Sequence, residues 1–201
     1  MTALPDLRQA DVLQLVKQAV LIVLSEQAAP RDLPQICSHL RRQTNRPLLV
    51  LLQTRGERTI TEVLREGADD CLLPNISPRE LVARIRAHLR RDQEYSAPGK
   101  AALYEVGELR LDALRHEVHV REQQVNLTPR EFELLECLVR EAGRAVRRDE
   151  LLTTVWGFNS GMNSRTLDVH VGRLRQKIER DSRDPQILIT VPGVGYKLAQ
   201  S

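Results

Sequence analysis

Short apolar runs alternate with amphipathic stretches along the first half of the chain. The runs predict strands, because they are only a few residues long, carry no charge and are bounded by polar or turn-forming residues. They lie at Val20–Leu24, Leu48–Leu52 and Cys71–Leu73. Helices are predicted at Leu33–Arg42, at Thr59–Glu66 and from Ser77 to about Arg91. Buried strands that alternate with helices are typical of a parallel sheet covered on both faces, so residues 1–91 are predicted to form an α/β domain.

A polar segment containing Ser96, Pro98 and Gly99 follows, and it predicts an interdomain linker over residues 92–101. Beyond it the pattern changes. Strands are predicted at Glu108–Leu111, Glu117–Val120, Val125–Leu127, Ile187–Val191 and Gly195–Leu198. Helices are predicted from Thr128 to about Glu141, at Asp149–Val155 and from Ser164 to about Arg180. A basic helix followed by a β-hairpin is the layout of a winged helix-turn-helix, so residues 102–201 are predicted to form such an α+β domain.

Two tetrapeptides of the same form predict helix starts. They are Ser77-Pro78-Arg79-Glu80 and Thr128-Pro129-Arg130-Glu131. Each places a hydroxyl residue at the N-cap, a proline in the first turn and a glutamate that can bond back to the cap. Gly67 and Gly143 are predicted to end the helices that precede them.

The composition limits the classes of protein to which this chain can belong. The 201 residues are 41% hydrophobic and 28% charged, which is ordinary for a globular chain. The longest apolar runs, Val20–Leu24 and Leu48–Leu52, are far shorter than the about 20 residues that a transmembrane helix needs. Met1–Arg8 has neither the basic start nor the long apolar stretch of a signal peptide, so the expected location is the cytoplasm.

The residue types needed for metal binding or catalysis are not grouped in the sequence. Cys37, Cys71 and Cys137 are an odd number and widely spaced, which argues against a disulfide framework or a zinc site. Cys71 is interpreted as a buried structural thiol, with a redox sensor as the alternative. No combination of acid, base and nucleophile stands out, so neither an enzyme nor a bound cofactor or metal is expected.

The net charge of +3 is concentrated in one predicted helix. Between Arg165 and Lys177 the chain carries four cations and one anion, Asp168. On a helical wheel one stripe is apolar and forms the expected core face: Leu167, Val171, Leu174 and Ile178. The opposite face presents Arg165, Val169, Gly172, Arg173 and Gln176, flanked by His170, Arg175 and Lys177.

This face suits DNA. An arginine can bond bidentately to guanine and a valine can touch a thymine methyl, while flanking cations can reach phosphates. The alternative is a solvated charged face. The preceding helices and the terminal hairpin favour the DNA-binding interpretation.

Residues 102–201 resemble the winged-helix effector domain of OmpR/PhoB-type response regulators. The resemblance rests on several segments of the sequence: Leu127–Leu135, Asp149–Leu152 with Val155-Trp156-Gly157, Ser164–Val171 with Arg173-Leu174-Arg175, and Thr190-Val191 with Gly193–Tyr196. It implies base contacts from Arg173 and Val169. It also implies contacts to the DNA backbone from Arg165, His170, Arg175, Trp156 and Thr190. The loop Gly157–Asn163 is implied to face RNA polymerase.

Three positions depart from the family pattern. Pro192 stands where the family usually has an arginine that enters the minor groove, so readout there is expected to be weaker. Gly172 stands where some members have another phosphate-binding arginine. Arg147 replaces a serine that often caps the second helix, so that cap is expected to be lost.

Residues 11–91 resemble the later part of a CheY-like, flavodoxin-like receiver domain, on the segments Glu66–Asp70 and Ser77–Arg86. Receivers transfer a phosphoryl group to an aspartate and need Mg²⁺, a hydroxyl residue and a lysine. Ser25 stands at the acceptor position, Leu52 at the hydroxyl position and Pro74 at the lysine position. The domain is therefore interpreted as a truncated, degenerate receiver that is not controlled by aspartyl phosphorylation.

The resemblance also implies a dimer face. Its charged residues are Glu66, Asp70, Glu80, Arg84 and Arg91, with a solvated surface as the alternative. The first predicted strand would be a sheet edge, and edges are usually covered or paired. A helix at about Leu7–Gln18, or a second protomer, is expected to cover it.

Taken together, these residues predict a sequence-specific DNA-binding transcriptional regulator. It is expected to bind double-stranded DNA as a homodimer, without a membrane partner. The alternative is a protein-interaction adaptor whose winged helix and receiver remnant bind other proteins. Salt-insensitive or absent nucleic-acid binding would favour the adaptor.

Overall fold

The computed structural model describes residues 15–27, 32–53, 56–89, 103–157 and 164–200. The chain divides into two compact units, Met1–Leu89 and Arg90–Ser201. Most of the predicted N-terminal helix and the whole of the predicted linker lie outside the described residues. Within the described part of the chain, no helix has both the length and the apolar character needed to span a bilayer.

The first unit is a parallel sheet with helices between its strands. Its elements are β1 (Ile22–Ser25), α1 (Leu33–Gln43), β2 (Leu48–Leu51), α2 (Glu57–Arg65), β3 (Asp70–Leu72) and α3 (Pro78–Leu89). Residues 15–18 are helical. The strand order is β1-β2-β3. Ile22 lies opposite Leu48, and Leu49 lies opposite Asp70. This agrees with the predicted α/β fold and corrects the predicted strand ends by one or two residues.

Arg41 fixes the connection into β3. Its guanidinium donates to the Gly67 carbonyl (2.7 Å) and to the fully buried Asp69 carboxylate (2.6 Å). The same carboxylate oxygen accepts the Leu48 N–H at 2.8 Å. Asp69 therefore joins α1 to β2 and has a structural role, because a buried carboxylate needs such partners.

The start of α3 confirms half of its predicted capping box. The Ser77 hydroxyl oxygen accepts the Glu80 N–H at 3.1 Å. The Glu80 carboxylate does not return to the cap, since it accepts from Arg84 at 2.9 Å instead.

Two charged residues of the predicted dimer face pair inside one chain, and the dimer face itself stays a prediction. Arg84 Nη1 lies 2.9 Å from Asp70 Oδ2, and both side chains are buried. Burial raises the pKa of the Asp70 carboxyl, but His88 and the charge of Arg84 outweigh this and hold the pKa below its ordinary value. Glu66 is exposed, and Arg91 lies outside the described residues.

Over residues 103–157 and 164–200, the second unit has two antiparallel sheets and three helices. Its strands are β4 (Leu103–Val106), β5 (Leu109–Asp112), β6 (Glu117–Val120), β7 (Gln123–Gln124), β8 (Val146–Arg147), β9 (Leu188–Val191) and β10 (Gly195–Leu198). Its helices are α4 (Pro129–Arg140), α5 (Arg148–Trp156) and α6 (Ser164–Ile178). The sheet orders are β4-β5-β6-β7 and β8-β10-β9.

One predicted strand of this unit is absent from the described residues, and three observed strands, β4, β7 and β8, were not predicted. Val125–Leu127 is not a strand: the chain leaves the sheet after β7, and Val125 N–H bonds to the Val118 carbonyl (2.8 Å). β4 was not predicted, because its residues alternate only weakly between exposed and half-buried positions.

Helix ends in this unit follow the predicted chemistry. Thr128 and Glu131 form both bonds of the capping box at the start of α4. Arg147 precedes α5 without a side-chain cap, as expected. Gly157 ends α5 with a φ of 82°, the left-handed conformation that glycine adopts without strain. One buried core joins the three helices to the sheets.

Candidate nucleic-acid interface

Helix α6 is amphipathic in the predicted sense. Its core stripe is buried throughout and consists of Leu167, Val171, Leu174 and Ile178. The stripe packs in the same core as α4 and α5. The packing fixes the rotation of α6 about its axis, and so decides which side chains reach solvent.

A solvent-facing row runs along the other side of α6. Arg165 and Gln176 are exposed, while Val169 and Gly172 are partly exposed. The spacing of these four residues places them on one helix face. A Cβ added at Gly172 would meet no atom within 4 Å, so the row has a gap there. The row offers a guanidinium, a methyl-bearing side chain and an amide, which are groups that read base edges in a major groove.

His170 is not part of this surface. Its side chain is 0% exposed, and Nδ1 lies 2.9 Å from the Thr166 carbonyl oxygen. The imidazole meets the Trp156 ring edge-on, with centroids 5.1 Å apart. The burial of His170 does not favour the predicted phosphate contact, which stays a prediction. Position 170 borders the core stripe, and the neighbouring helix covers it.

Trp156 is buried in the same way. Its ring is buried at the end of α5, between His170 and the guanidinium of Arg130, which lies 5.9 Å from the ring centroid. Arg130 is itself buried and pairs with Glu133 at 2.5 Å. The indole therefore packs in the core, and its predicted contact with the DNA backbone stays a prediction.

Arg173 and Lys177 turn toward the start of α4. Arg173 Nη2 lies 2.9 Å from Glu131 Oε1, and Lys177 Nζ lies 2.6 Å from Oε2 of the same carboxylate. Lys177 also donates to the Asn126 carbonyl at 2.9 Å. The helical wheel placed Arg173 on the open face, whereas only 11% of its side chain is exposed here.

Arg175 connects α6 to the hairpin. Its Nε and Nη2 donate to the Leu188 carbonyl at 3.0 and 2.7 Å, and Nη2 donates to the Thr190 hydroxyl at 2.8 Å. Thr190 is exposed on β9. Two predicted backbone-contact residues thus hold each other, and the β9–β10 hairpin is held against the helix.

A second connection was missed at the sequence level. Asp168 accepts from Arg148 and from the Tyr196 hydroxyl, both at 2.6 Å, and Arg148 donates to the Tyr196 oxygen at 3.1 Å. These residues come from α6, α5 and β10. Asp168 looked like an isolated anion in a basic helix, and only the fold brings its partners to it.

The degenerate receiver positions lie at the carboxyl end of the parallel sheet. Ser25 is the last residue of β1, the buried Leu52 follows β2, and Leu73-Pro74 follow β3. Glu26 closes this edge by accepting the Gln53 N–H at 2.5 Å. In the part of the chain that the structure describes, no group of three His, Cys, Asp or Glu side chains is arranged to hold a metal ion.

A basic helix on a helical core, followed by a hairpin wing and preceded by an α/β unit, defines a two-domain winged-helix transcription regulator. Residues 122–198 match the family described as "Transcriptional regulatory protein, C terminal". The chain belongs to the OmpR/PhoB family of response regulators, which combine such an effector domain with a receiver domain.

The relatives support this over most of the chain. It is 38% identical to the DNA-binding response regulator MtrA of Mycolicibacterium smegmatis over 162 residues, which are 81% of this chain and 69% of MtrA. It is 41% identical to the sensory transduction protein RegX3 of Mycobacterium tuberculosis over 163 residues, 81% of this chain and 72% of RegX3. A solved structure of a RitR mutant matches with a TM-score of 0.69 and 26% identity, covering 95% of this chain and 84% of that one.

The predicted family and fold class are therefore confirmed, and the chain is a DNA-binding transcriptional response regulator.

Proposed function

We propose that this regulator recognises specific DNA sequences through α6 and the β9–β10 hairpin, and that aspartyl phosphorylation does not control it. The supporting observation is the set of residues at the carboxyl end of the parallel sheet. Ser25, Leu52 and Pro74 stand there, and none of them supplies a carboxylate acceptor, a hydroxyl at the second strand or a cation. Phosphoryl transfer to aspartate depends on such groups.

In this proposal Val169 and Arg173 read base edges, while Arg165 and Lys177 contact phosphates. Arg175 and Thr190 position the hairpin from within, since each is already bonded to the other. The domain limits follow the sequence prediction: residues 1–91 form the receiver remnant, 92–101 the linker and 102–201 the effector domain. A protein that regulates transcription in a bacterium acts in the cytoplasm.

The DNA-binding proposal is tested by fluorescence anisotropy over a salt series, with a random duplex pool and with sites selected from it. We expect the selected sites to bind far more tightly than the pool. Arg173→Ala should remove this preference and leave salt-sensitive background binding. Arg180→Ala is the matched control, because Arg180 is exposed beyond the end of α6 and pairs with Glu108.

The results of this experiment distinguish sequence-specific DNA binding from the alternative of a protein-interaction adaptor. Equal, weak binding to every duplex by the wild-type protein would contradict sequence-specific regulation. Binding to a protein partner that Arg173→Ala leaves intact would then favour the adaptor.

Independence from phosphorylation is tested with acetyl phosphate and Mg²⁺. Intact-mass spectrometry should detect no phosphorylated species, and the DNA-binding isotherm should not move. Ser25→Asp should also remain unmodified, because the other groups are still missing. Incorporation of phosphate into the wild-type chain would refute this part of the proposal.

We also propose a homodimer. The acid–base face expected from the resemblance is largely paired inside one chain, but apolar side chains at Val20 and Val23 are exposed beside β1. They offer a different contact for a second copy. Sedimentation at increasing concentration should show a dimer, and a monomer throughout would rule it out.

The loop Gly157–Asn163 is proposed to contact RNA polymerase, on the family resemblance alone. Residues 158–163 lie outside the described residues.

A further inference from the structure

Glu131 is placed where it can act on two cations of α6 at once. It is the third residue of α4, and its carboxylate is 0% exposed. Oε2 accepts the Thr128 N–H at 2.9 Å and the Lys177 ammonium at 2.6 Å, while Oε1 lies 2.9 Å from Arg173 Nη2. One buried carboxylate thus caps α4 and holds two cations that the proposed function assigns to DNA.

The charge on Glu131 is maintained by these partners. Burial raises the pKa of its carboxyl, but the charges of Arg173 and Lys177 outweigh burial and lower the pKa below its ordinary value. The carboxylate is therefore ionised at neutral pH. A buried ion pair of this kind is costly to break unless a new partner replaces it.

Arg173 therefore has a competing partner before DNA arrives. With 11% of its side chain exposed, it must leave Glu131 to meet a base edge. A guanine offers two acceptors in the geometry of the guanidinium fork and can replace the carboxylate. A phosphate of unrelated DNA offers charge but not the same position, so the exchange is less favourable there.

We propose that Glu131 is a positioning residue that sets the DNA specificity of this protein, by holding Arg173 and Lys177 away from DNA that lacks the correct base. The inference rests on the proposed function, since it assigns Arg173 to base contact. It adds that specificity arises partly by suppressing unspecific binding. Removing the carboxylate should strengthen unspecific binding more than specific binding.

The test measures binding of the full-length protein to a random duplex pool and to a selected site across a salt series. Glu131→Gln keeps an oxygen that can accept the Thr128 N–H but removes the charge. Its binding to the pool should tighten about tenfold at low salt, and its salt slope should steepen by about 0.9 for each phosphate newly neutralised. Binding to the selected site should change much less, so the specificity ratio falls.

Three further variants exclude simpler explanations. Glu131→Asp keeps the net charge but shortens the side chain, so it should change the pool affinity in the same direction. Glu141→Gln makes the same charge change at the exposed far end of α4, where Glu141 pairs with Arg144, and should leave the ratio unaltered. Thr128→Ala weakens the cap without removing the carboxylate, and should lower the melting temperature but leave the salt slope as it is.

The double variant Glu131→Gln/Arg173→Ala tests the route of the effect. It should show the same specificity ratio as Arg173→Ala alone. If Glu131→Gln and Glu131→Asp bind the pool with wild-type affinity and slope, the inference is overturned while sequence-specific binding stands. A wild-type protein that does not distinguish the selected site from the pool overturns the proposed function itself.

Discussion

The Tyr196 hydroxyl donates a 2.6 Å hydrogen bond to the Asp168 carboxylate, so β10 is tied to α6. Arg148 bonds to both residues and neutralises the carboxylate. This triad and the Arg175–Thr190 contact hold the hairpin at two separate points. The position of the wing relative to α6 is therefore built in before DNA is bound.

Tyr196→Phe should loosen this attachment. The phenolic hydroxyl bonds to an ionised carboxylate and is partly buried, so its loss should cost about 1–2 kcal/mol of unfolding free energy. The melting temperature of the effector domain should fall by several degrees, measured by circular dichroism. Tyr104→Phe is the control, because the Tyr104 hydroxyl accepts only an exposed bond from Arg140 at 3.2 Å and should cost less. Equal losses in the two variants would contradict the role of the triad.

Gly195 is required by the close approach of β10 to β8. An added Cβ would lie 2.1 Å from the Val146 carbonyl oxygen, which is backbone and cannot move aside alone. Gly195→Ala should therefore destabilise the effector domain by about 2 kcal/mol or more. Gly172→Ala makes the same change where no atom lies within 4 Å, inside α6, and should stabilise the protein by about 0.5–1 kcal/mol. Urea unfolding measures the free energy of unfolding of both variants. Changes of the same sign in the two variants would contradict this comparison.

Gly172→Arg should raise DNA affinity without base preference. The gap in the solvent-facing row leaves room for a long side chain, and an added cation there can reach a phosphate. The slope of log affinity against log salt concentration should steepen by about 0.9, equally for pool and selected site. Gly172→Gln controls for the length of the side chain. An unaltered slope in the arginine variant would mean that this face does not lie along DNA.

Asp70→Asn should change how the stability of the first unit depends on pH. The pKa of the buried carboxyl is lower in the folded than in the unfolded state, so its stabilisation is fully present above the unfolded pKa of about 4 and is lost as the pH falls through the folded pKa. At pH 7 the variant removes the buried carboxylate that pairs with Arg84 and leaves that guanidinium its bond to the more exposed Glu80, so it should lose about 2 kcal/mol of stability. Urea unfolding of both proteins from pH 7 to 3 should show this difference shrinking at the acidic end.

If the stability of the wild-type protein and that of Asp70→Asn differ by the same amount from pH 7 to 3, the ion pair is not the cause of the difference. Glu62→Gln is a suitable control. Its partner Arg58 is almost fully exposed, and such pairs contribute little at any pH.

Periodicity and capping chemistry predicted most elements of the two units. The core stripe of α6 and the Thr128–Glu131 box were predicted because they depend on residues within one helix. The orientation of Arg173 and His170 was not predicted, since it depends on what α4 and α5 place beside α6. A helical wheel shows which way a side chain points, but it contains no information about the neighbouring helix.

The pairing of Asp70 with Arg84 was missed for a related reason. The sequence showed both charges and the family resemblance suggested an interface between two chains. The fold brings the start of β3 and the middle of α3 together, and the partners meet within one chain. Val125–Leu127 was misassigned because an apolar-polar-apolar pattern of only three residues cannot separate a strand from an extended connection.

The attachment of Arg175 to β9 has a consequence for how such regulators diversify. Its principal acceptor is the carbonyl oxygen of Leu188, a group that every amino acid supplies. The side chains of the hairpin can therefore change while this hold on the helix persists. The Asp168–Tyr196 bond has no such tolerance, because either substitution abolishes it. The Arg175–Leu188 bond therefore tolerates substitutions in the hairpin, whereas the Asp168–Tyr196 bond restricts substitution at its own two positions.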